Sequence, residues 1–259
     1  MNIVILGSGH AATVLAQLMH SKGHTILQVW SRNAVHAHEL AAKVNANVLN
    51  ELQEIDRSAD LCVLSVTDDA VAGIAAQLSL QKKILVHTAG AVSMNVLQGA
   101  SPNYGVLYPL QSLRKELTTI PVIPFLVDGN SEEVKVLLAD FAATLSPHVL
   151  VAGDDERMHL HLAAVIVNNF TNHLYAVTEQ YCNGHQLSFQ MLHPLIMETA
   201  ERLKTEAARQ LQTGPARRGD EQTMQKHLQL LNNEPELQDL YKTISKSILK
   251  MYHKNKELR

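Results

Sequence analysis

Apolar positions in the first half of the chain come in short runs separated by amphipathic stretches, the alternation that βαβ units require. Runs at Asn2–Leu6, Thr25–Trp30, Leu61–Val66, Lys83–His87, Tyr104–Leu107, Val122–Val127 and Val149–Val151 predict strands. Between them, helical spacing falls at Val14, Leu15, Leu18 and Met19, over roughly Ala34–Val44 and Ala70–Leu78, and over Glu132–Leu145. Beyond Gly153 the strand signal stops. Helical periodicity then runs over Glu156–Tyr181, Ser188–Leu211, Glu221–Leu231 and Pro235–Lys254. The expected fold class is α/β: a doubly wound parallel sheet over residues 1–152, followed by an all-helical domain over residues 153–259.

The first strand leads straight into Gly7-Ser8-Gly9-His10-Ala11-Ala12, and the first helical stretch follows at once. This is the Gly-x-Gly-x-x-Ala form of the dinucleotide fingerprint in its strand, turn and helix context, so the sheet is expected to be of Rossmann type. Gly7 permits the tight turn, Gly9 lets the backbone approach a pyrophosphate, and Ala12 keeps the helix close to its strand. The unpaired N–H groups and positive end of that helix favour the phosphates. At the end of the second strand an acidic residue would accept from the ribose 2′-hydroxyl of NAD, and none is present. Ser31, Arg32 and Asn33 stand there instead, a set suited to a 2′-phosphate. NADP(H) is therefore expected ahead of NAD(H), although Ser31 and Asn33 also suit the cap of the following helix.

Ligands in such folds collect at the carboxyl ends of the strands. Val66 and Thr67 follow one strand, and His87, Thr88, Ala89 and Gly90 follow the next, placing all six at the expected ribose and nicotinamide. Asp68 and Asp69 suit the first turn of a helix without any ligand. His87 reads equally as a wall of the site or as a hydrogen-bonded structural histidine. In the first long helix of the second half, at 100° per residue, His161, Asn168, Asn172 and Tyr175 fall on one stripe, with Asn169 about 80° from His161. Polar groups on a largely apolar helix must meet other polar groups, water or a ligand.

Composition narrows the classes. The 259 residues are 46% hydrophobic with a formal net charge of -3, enough for one large core or two moderate ones and without a broad basic field for nucleic acid. The basic tail from Lys246 to Arg259 reads as a solvated helix end. No apolar run reaches the roughly 18 residues of a membrane span, and the start lacks the pattern of a signal peptide. A soluble, cytoplasmic protein is the expectation. Cys62 and Cys182 form no Cys-x-x-Cys, and the histidine spacings, His159 with His161 and His36 with His38, suit no metal. Neither a metal site nor a nucleophilic serine motif is expected.

Taken together, Gly7–Ala12, Trp30-Ser31-Arg32-Asn33, Thr88-Ala89-Gly90, Tyr108-Pro109-Leu110-Gln111 and Gly214-Pro215-Ala216-Arg217-Arg218-Gly219-Asp220 resemble the NADP oxidoreductases related to pyrroline-5-carboxylate reductase. The resemblance covers essentially the whole chain. It implies a Rossmann domain before a helical domain of unknown function, a cleft between them, hydride transfer, and a homodimer formed through the helical half. Related hydroxyacid dehydrogenases carry a lysine acid or base on the helix corresponding to Glu156–Phe170, and this chain has none there. His161 is then the candidate acid or base, since an imidazole exchanges protons near neutrality. Asn168 or Asn169 is the candidate orienting amide, Asn169 being the better match to the family's asparagine. Arg217 or Arg218 is the candidate clamp for an anionic small-molecule substrate, or both are merely solvated between a Gly-Pro stop and an Asp220 cap. The expected activity is an NADP(H)-dependent reduction of a small polar C=O or C=N compound, or its reverse. The missing lysine keeps open a non-catalytic NADP(H) sensor or scaffold, and a deazaflavin-linked reductase is a third reading.

Overall fold

A computed structural model describes residues 1–253 of the chain. They divide into two compact units, Met1–Phe170 and the residues from Thr171 onward. The expected end of the last helix at Lys254, and the basic tail from there to Arg259, lie outside the described residues.

The first unit holds strands β1 (Asn2–Leu6), β2 (Thr25–Trp30), β3 (Asn47–Val48), β4 (Leu61–Leu64), β5 (Ile84–His87), β6 (Asn103–Pro109), β7 (Phe125–Gly129) and β8 (Val149–Val151). They form one sheet in the order β3-β2-β1-β4-β5-β6-β7-β8. Its helices are α1 (His10–Ser21), α2 (Ala34–Lys43), α3 (Asp68–Ala75), α4 (Glu132–Leu145) and α5 (Asp154–Ala164), the last passing into a π-helical segment, Val165–Phe170. Strand order reverses at β1 and β4, where Leu6 pairs with Leu64 on one side and Trp30 on the other. Such a switch point opens a crevice beyond the carboxyl ends of the strands.

Period two sorts the strand side chains. Ile3, Ile5, Val63 and Val86 pack with Leu15, Met19 and Leu138 in one core cluster, while Val4, Leu6, Cys62, Leu64 and Leu85 join Val71, Ile74 and Leu97 in a second. Burial on both faces explains why these strands read as unbroken apolar runs. All strand pairs are parallel except β6 and β7, where Tyr108 faces Leu126 and Pro109 faces Phe125 in an antiparallel ladder. The connection from Leu110 to Pro124 contains no helix, and an antiparallel return needs none. Pro121 and Pro124 have no N–H to give a ladder, so β7 starts at Phe125 rather than Val122.

From Thr171 onward the structure is helical: α6 (Thr171–Gly184), α7 (His193–Arg202), α8 (Ala208–Leu211), α9 (Pro215–Arg218), α10 (Glu221–Leu230) and α11 (Pro235–Tyr252). Ala216, Met224 and Leu249 form a small buried cluster here. The single helix expected over Ser188–Leu211 is instead a 3-10 turn at Phe189–Leu192, α7, and α8 after a break. Thr205 Oγ1 donates to the Arg202 carbonyl, and Ala207 is extended (φ −69°, ψ 136°). No Gly or Pro marks that break, so helical spacing alone runs through it. Among the described residues no helix is long and apolar enough to cross a membrane.

Candidate functional site

Two neighbouring hollows lie in the first unit. The smaller, about 390 Å³, is lined by Gly7, Ser8, Gly9, His10 and Ala11, by Trp30, Ser31, Arg32, Asn33 and His36, and by Ser65, Val66 and Thr67. Gly7 sits at φ +135°, and a Cβ there would lie 2.0 Å from the Ser65 carbonyl oxygen. Only glycine lets β1 turn this closely past β4. Gly9 differs: an added Cβ would meet nothing within 4 Å, so it would project into open space. Gly9 is also the N-cap of α1, with no side chain capping the first turn. The free N–H groups of that turn therefore remain available to an anion. Open room at Gly9, uncapped donors and the absence of an acidic side chain at Ser31–Asn33 fit the diphosphate and 2′-phosphate of NADP(H).

The other members of this group are partly committed. Ser8 Oγ donates to Ser31 Oγ at 2.7 Å, and Ser31 Oγ accepts from the Asn33 N–H at 3.3 Å. Asn33 Oδ1 caps α2, accepting from Val35 and His36. The cap expected for Asn33 is thus present, and Arg32 is the exposed cation beside it. His10 accepts from the Lys115 N–H and lies 3.7 Å from Glu116, tying the turn to the 110–124 connection. Ala12 lines neither hollow. It is fully buried in the core under α1, the packing role expected of it.

The larger hollow, about 700 Å³, shares His10, Ala11 and Val66 with the first and continues along Asp68, Thr88, Ala89, Gly90, Tyr108, His161, Asn168 and Asn169. Tyr108, at the end of β6, hydrogen-bonds to His161 Nδ1 at 2.8 Å, with the rings edge to face. Gly90 closes this pair from below: a Cβ there would come within 2.8 Å of His161 Nδ1 and 3.0 Å of Tyr108 Cε2. Burial, and then the Asp68 charge, push the Tyr108 phenol up, so it stays protonated near neutrality. Thr88 Oγ1 donates to Ser65 Oγ beneath the same turn. Both asparagines line the hollow, and both stand on the π-helical segment Val165–Phe170. Its i→i+5 pattern rotates less than 100° per residue, so the 80° offset expected for Asn169 does not hold; such segments recur at functional sites.

His87 lines neither hollow. It is completely buried, and its Nδ1 accepts from the Ala89 N–H at 3.2 Å. Burial, reinforced by the Arg157 cation, pulls it down to about 4, so it is neutral at physiological pH. In the unfolded chain the same ring takes up a proton below about 6.5. The unfolded state therefore binds the extra proton between these limits, and stability present above pH 6.5 is lost as pH falls toward 4. Between pH 7 and 4.5 the loss from this group is about 2–3 kcal/mol. Chemical denaturation across that range should show a steeper decline for the wild type than for His87→Asn; parallel declines would contradict the assignment.

Arg217 and Arg218 belong to the second unit. They line a hollow of about 480 Å³ with Gln212, Thr213, Gly214 and His253. Gly214 and Gly219 bracket α9 with φ of +95° and +68°, which explains their place in the motif. The Arg217 guanidinium stacks over Tyr252 at 4.4 Å, and Arg218 lies 3.9 Å from Asp220. Asp220 caps α10, accepting from the Thr223 N–H and hydroxyl. Sequence reasoning assigned no role to Tyr108, Ser65, His36 or Arg157. Tyr108 alone had a signal, its place in the Tyr-Pro-Leu-Gln segment.

Two family descriptions match the chain: NADP oxidoreductase coenzyme F420-dependent over residues 2–90, and a domain of unknown function over residues 123–248. No curated protein matches it. Among solved structures, a "putative NADP oxidoreductase" from Bacteroides fragilis is 39% identical, covering 96% of this chain and 98% of its own, with a TM-score of 0.86. A reductive aminase from Aspergillus terreus, solved with NADPH and ethyl-5-oxohexanoate, is 18% identical over 99% of this chain and 96% of its own, TM-score 0.70. The 1-pyrroline-5-carboxylate reductase of Streptococcus pyogenes is 13% identical over 96% and 98%, TM-score 0.66. The last two share the fold. Identity and coverage with the first, together with the two matched domains, establish that the chain belongs to the family of NADP oxidoreductases in which an N-terminal oxidoreductase domain precedes a C-terminal domain of unknown function.

Proposed function

We propose that the protein is an NADP(H)-dependent reductase, or the reverse dehydrogenase, acting on a small polar compound with a C=N or C=O bond. The observation that carries this reading is the Tyr108–His161 hydrogen bond in a hollow that adjoins the glycine turn. NADPH, when bound, supplies a hydride from its nicotinamide ring. Gly7–Ala11 and the first turn of α1 hold its diphosphate, Arg32 with Ser31 holds the 2′-phosphate, and Val66, Thr67 and Thr88–Gly90 flank the sugar and ring. Tyr108 occupies His161 Nδ1, so Nε2 is the nitrogen left to exchange a proton. As the imidazolium, His161 gives its Nε2 proton to the substrate nitrogen or oxygen; in the reverse direction Nε2 takes that proton back. Asn168 or Asn169 orients the reacting group. Two proteins of the same fold, a reductive aminase and a 1-pyrroline-5-carboxylate reductase, support the C=N class.

Cytoplasmic residence and a homodimer belong to the same reading. Met191 and Leu195, four positions apart, are exposed at 79% and 64% on the helical unit, apolar side chains that a second copy would cover. Light scattering of the purified chain at twice the monomer mass is the expected result.

The test is NADPH oxidation over a panel of cyclic imines, 2-oxo acids and aldehydes. Turnover with one class establishes the reductase. Tight NADPH binding without turnover favours the sensor, and turnover only with a reduced deazaflavin favours the coenzyme in the description of residues 2–90. A second expectation concerns cofactor choice. Arg32→Ala removes one charge-assisted contact to phosphate, about 1.5–3 kcal/mol, or roughly 10- to 100-fold in NADPH affinity. NADH affinity should change little. Equal losses for both coenzymes would move the 2′-phosphate elsewhere.

A further inference from the structure

Arg157 is 1% exposed, one of the largest fully buried side chains in the molecule. Its Nε donates to the Gly90 carbonyl at 3.3 Å, and its Nη2 donates to the Val92 carbonyl at 2.5 Å and to Asp154 Oδ1 at 2.8 Å. Burial opposes ionisation of Asp154, but the Ser93 hydroxyl, Arg157 and the Met94 N–H outweigh it and hold the carboxyl below its usual range. The guanidinium Nη1 has no partner, nor has His87 Nε2. Burying a guanidinium with an unsatisfied donor beside a half-exposed carboxylate adds little net stability, because desolvation offsets the attraction. Its presence here calls for another reason, and the geometry supplies one.

Arg157 and His161 are four residues apart on α5, hence one turn apart on the same face. Arg157 grips the carbonyl of the very residue, Gly90, against which His161 and Tyr108 close with no space to spare. We propose that Arg157 is a positioning residue: its planar fork fixes the Gly90–Val92 turn to α5, and the turn in turn fixes the Tyr108–His161 hydrogen bond. A lysine supplies one compact charge and cannot span two carbonyls and a carboxylate in that plane. This rests on the reading of His161 as the proton carrier, yet the bond itself is observable without cofactor or substrate.

The experiment is therefore run on the full, ligand-free chain, reading the His161 ring nitrogens by 15N NMR. Tyr108→Phe sets the reference, the shift that follows loss of the bond. Arg157→Lys should reproduce most of that shift, whereas Asp154→Asn, which leaves both carbonyl contacts in place, should reproduce little of it. A folded Arg157→Lys protein with wild-type His161 resonances would overturn the proposal. So would Asp154→Asn moving them as far as Tyr108→Phe, a result that stands even if Arg157→Lys does not fold. Failure of hydride transfer with these outcomes intact would instead count against the functional reading.

Discussion

Gly9→Ala is expected to weaken NADPH binding by at least about 100-fold while the fold stays intact, and Gly7→Ala is expected to damage the fold itself. The two glycines stand two residues apart, but their surroundings differ. At Gly9 the new methyl meets no protein atom within 4 Å and enters the hollow where a diphosphate must approach the backbone. Its cost in stability is that of replacing glycine by alanine at an N-cap, under about 1 kcal/mol. At Gly7 the methyl would sit 2.0 Å from the Ser65 carbonyl oxygen, on a backbone at φ +135°. Neither backbone can yield without parting β1 from β4, so the loss should be on the order of 3 kcal/mol or more. Thermal unfolding and NADPH titration of both variants check the pair. A stable Gly7→Ala protein, or a Gly9→Ala protein that binds normally, would contradict the geometry.

The second large effect concerns proton transfer. His161→Ala should lower turnover by about 100-fold or more on whichever substrate the panel identifies, with NADPH affinity nearly unchanged because His161 lines the larger hollow and not the glycine turn. Tyr108→Phe should cost less, about tenfold, the equivalent of one hydrogen bond that orients the imidazole. Unchanged turnover in His161→Ala, with fold and cofactor affinity intact, would remove the assignment.

The sheet unit was legible because its signals are local. Strands buried on both faces read as apolar runs, and Gly7, Gly9 and Ala12 act on neighbours within a few positions. The candidate site beyond it was only half legible. His161 stood out as a polar group on an apolar helix, but Tyr108 lies 53 positions away and reaches it only because β6 ends beside the Gly90 turn. Helical spacing assumes one pitch, and the π segment that carries Asn168 and Asn169 has another. Arg157 follows Asp154, Asp155 and Glu156, so it reads as part of a solvated helix start; nothing in one dimension reveals that it is the buried member. His87 was left open between wall and core, and its burial decides for the core. Strand β3, two residues long, carries too little pattern to register at all.

The most direct measurement is calorimetric titration of the purified chain with NADPH and NADH. Saturable binding of NADPH, tighter than NADH and strongly weakened in Gly9→Ala, is the predicted result. Absence of heat with either coenzyme, in protein that unfolds cooperatively and is therefore native, would contradict the account.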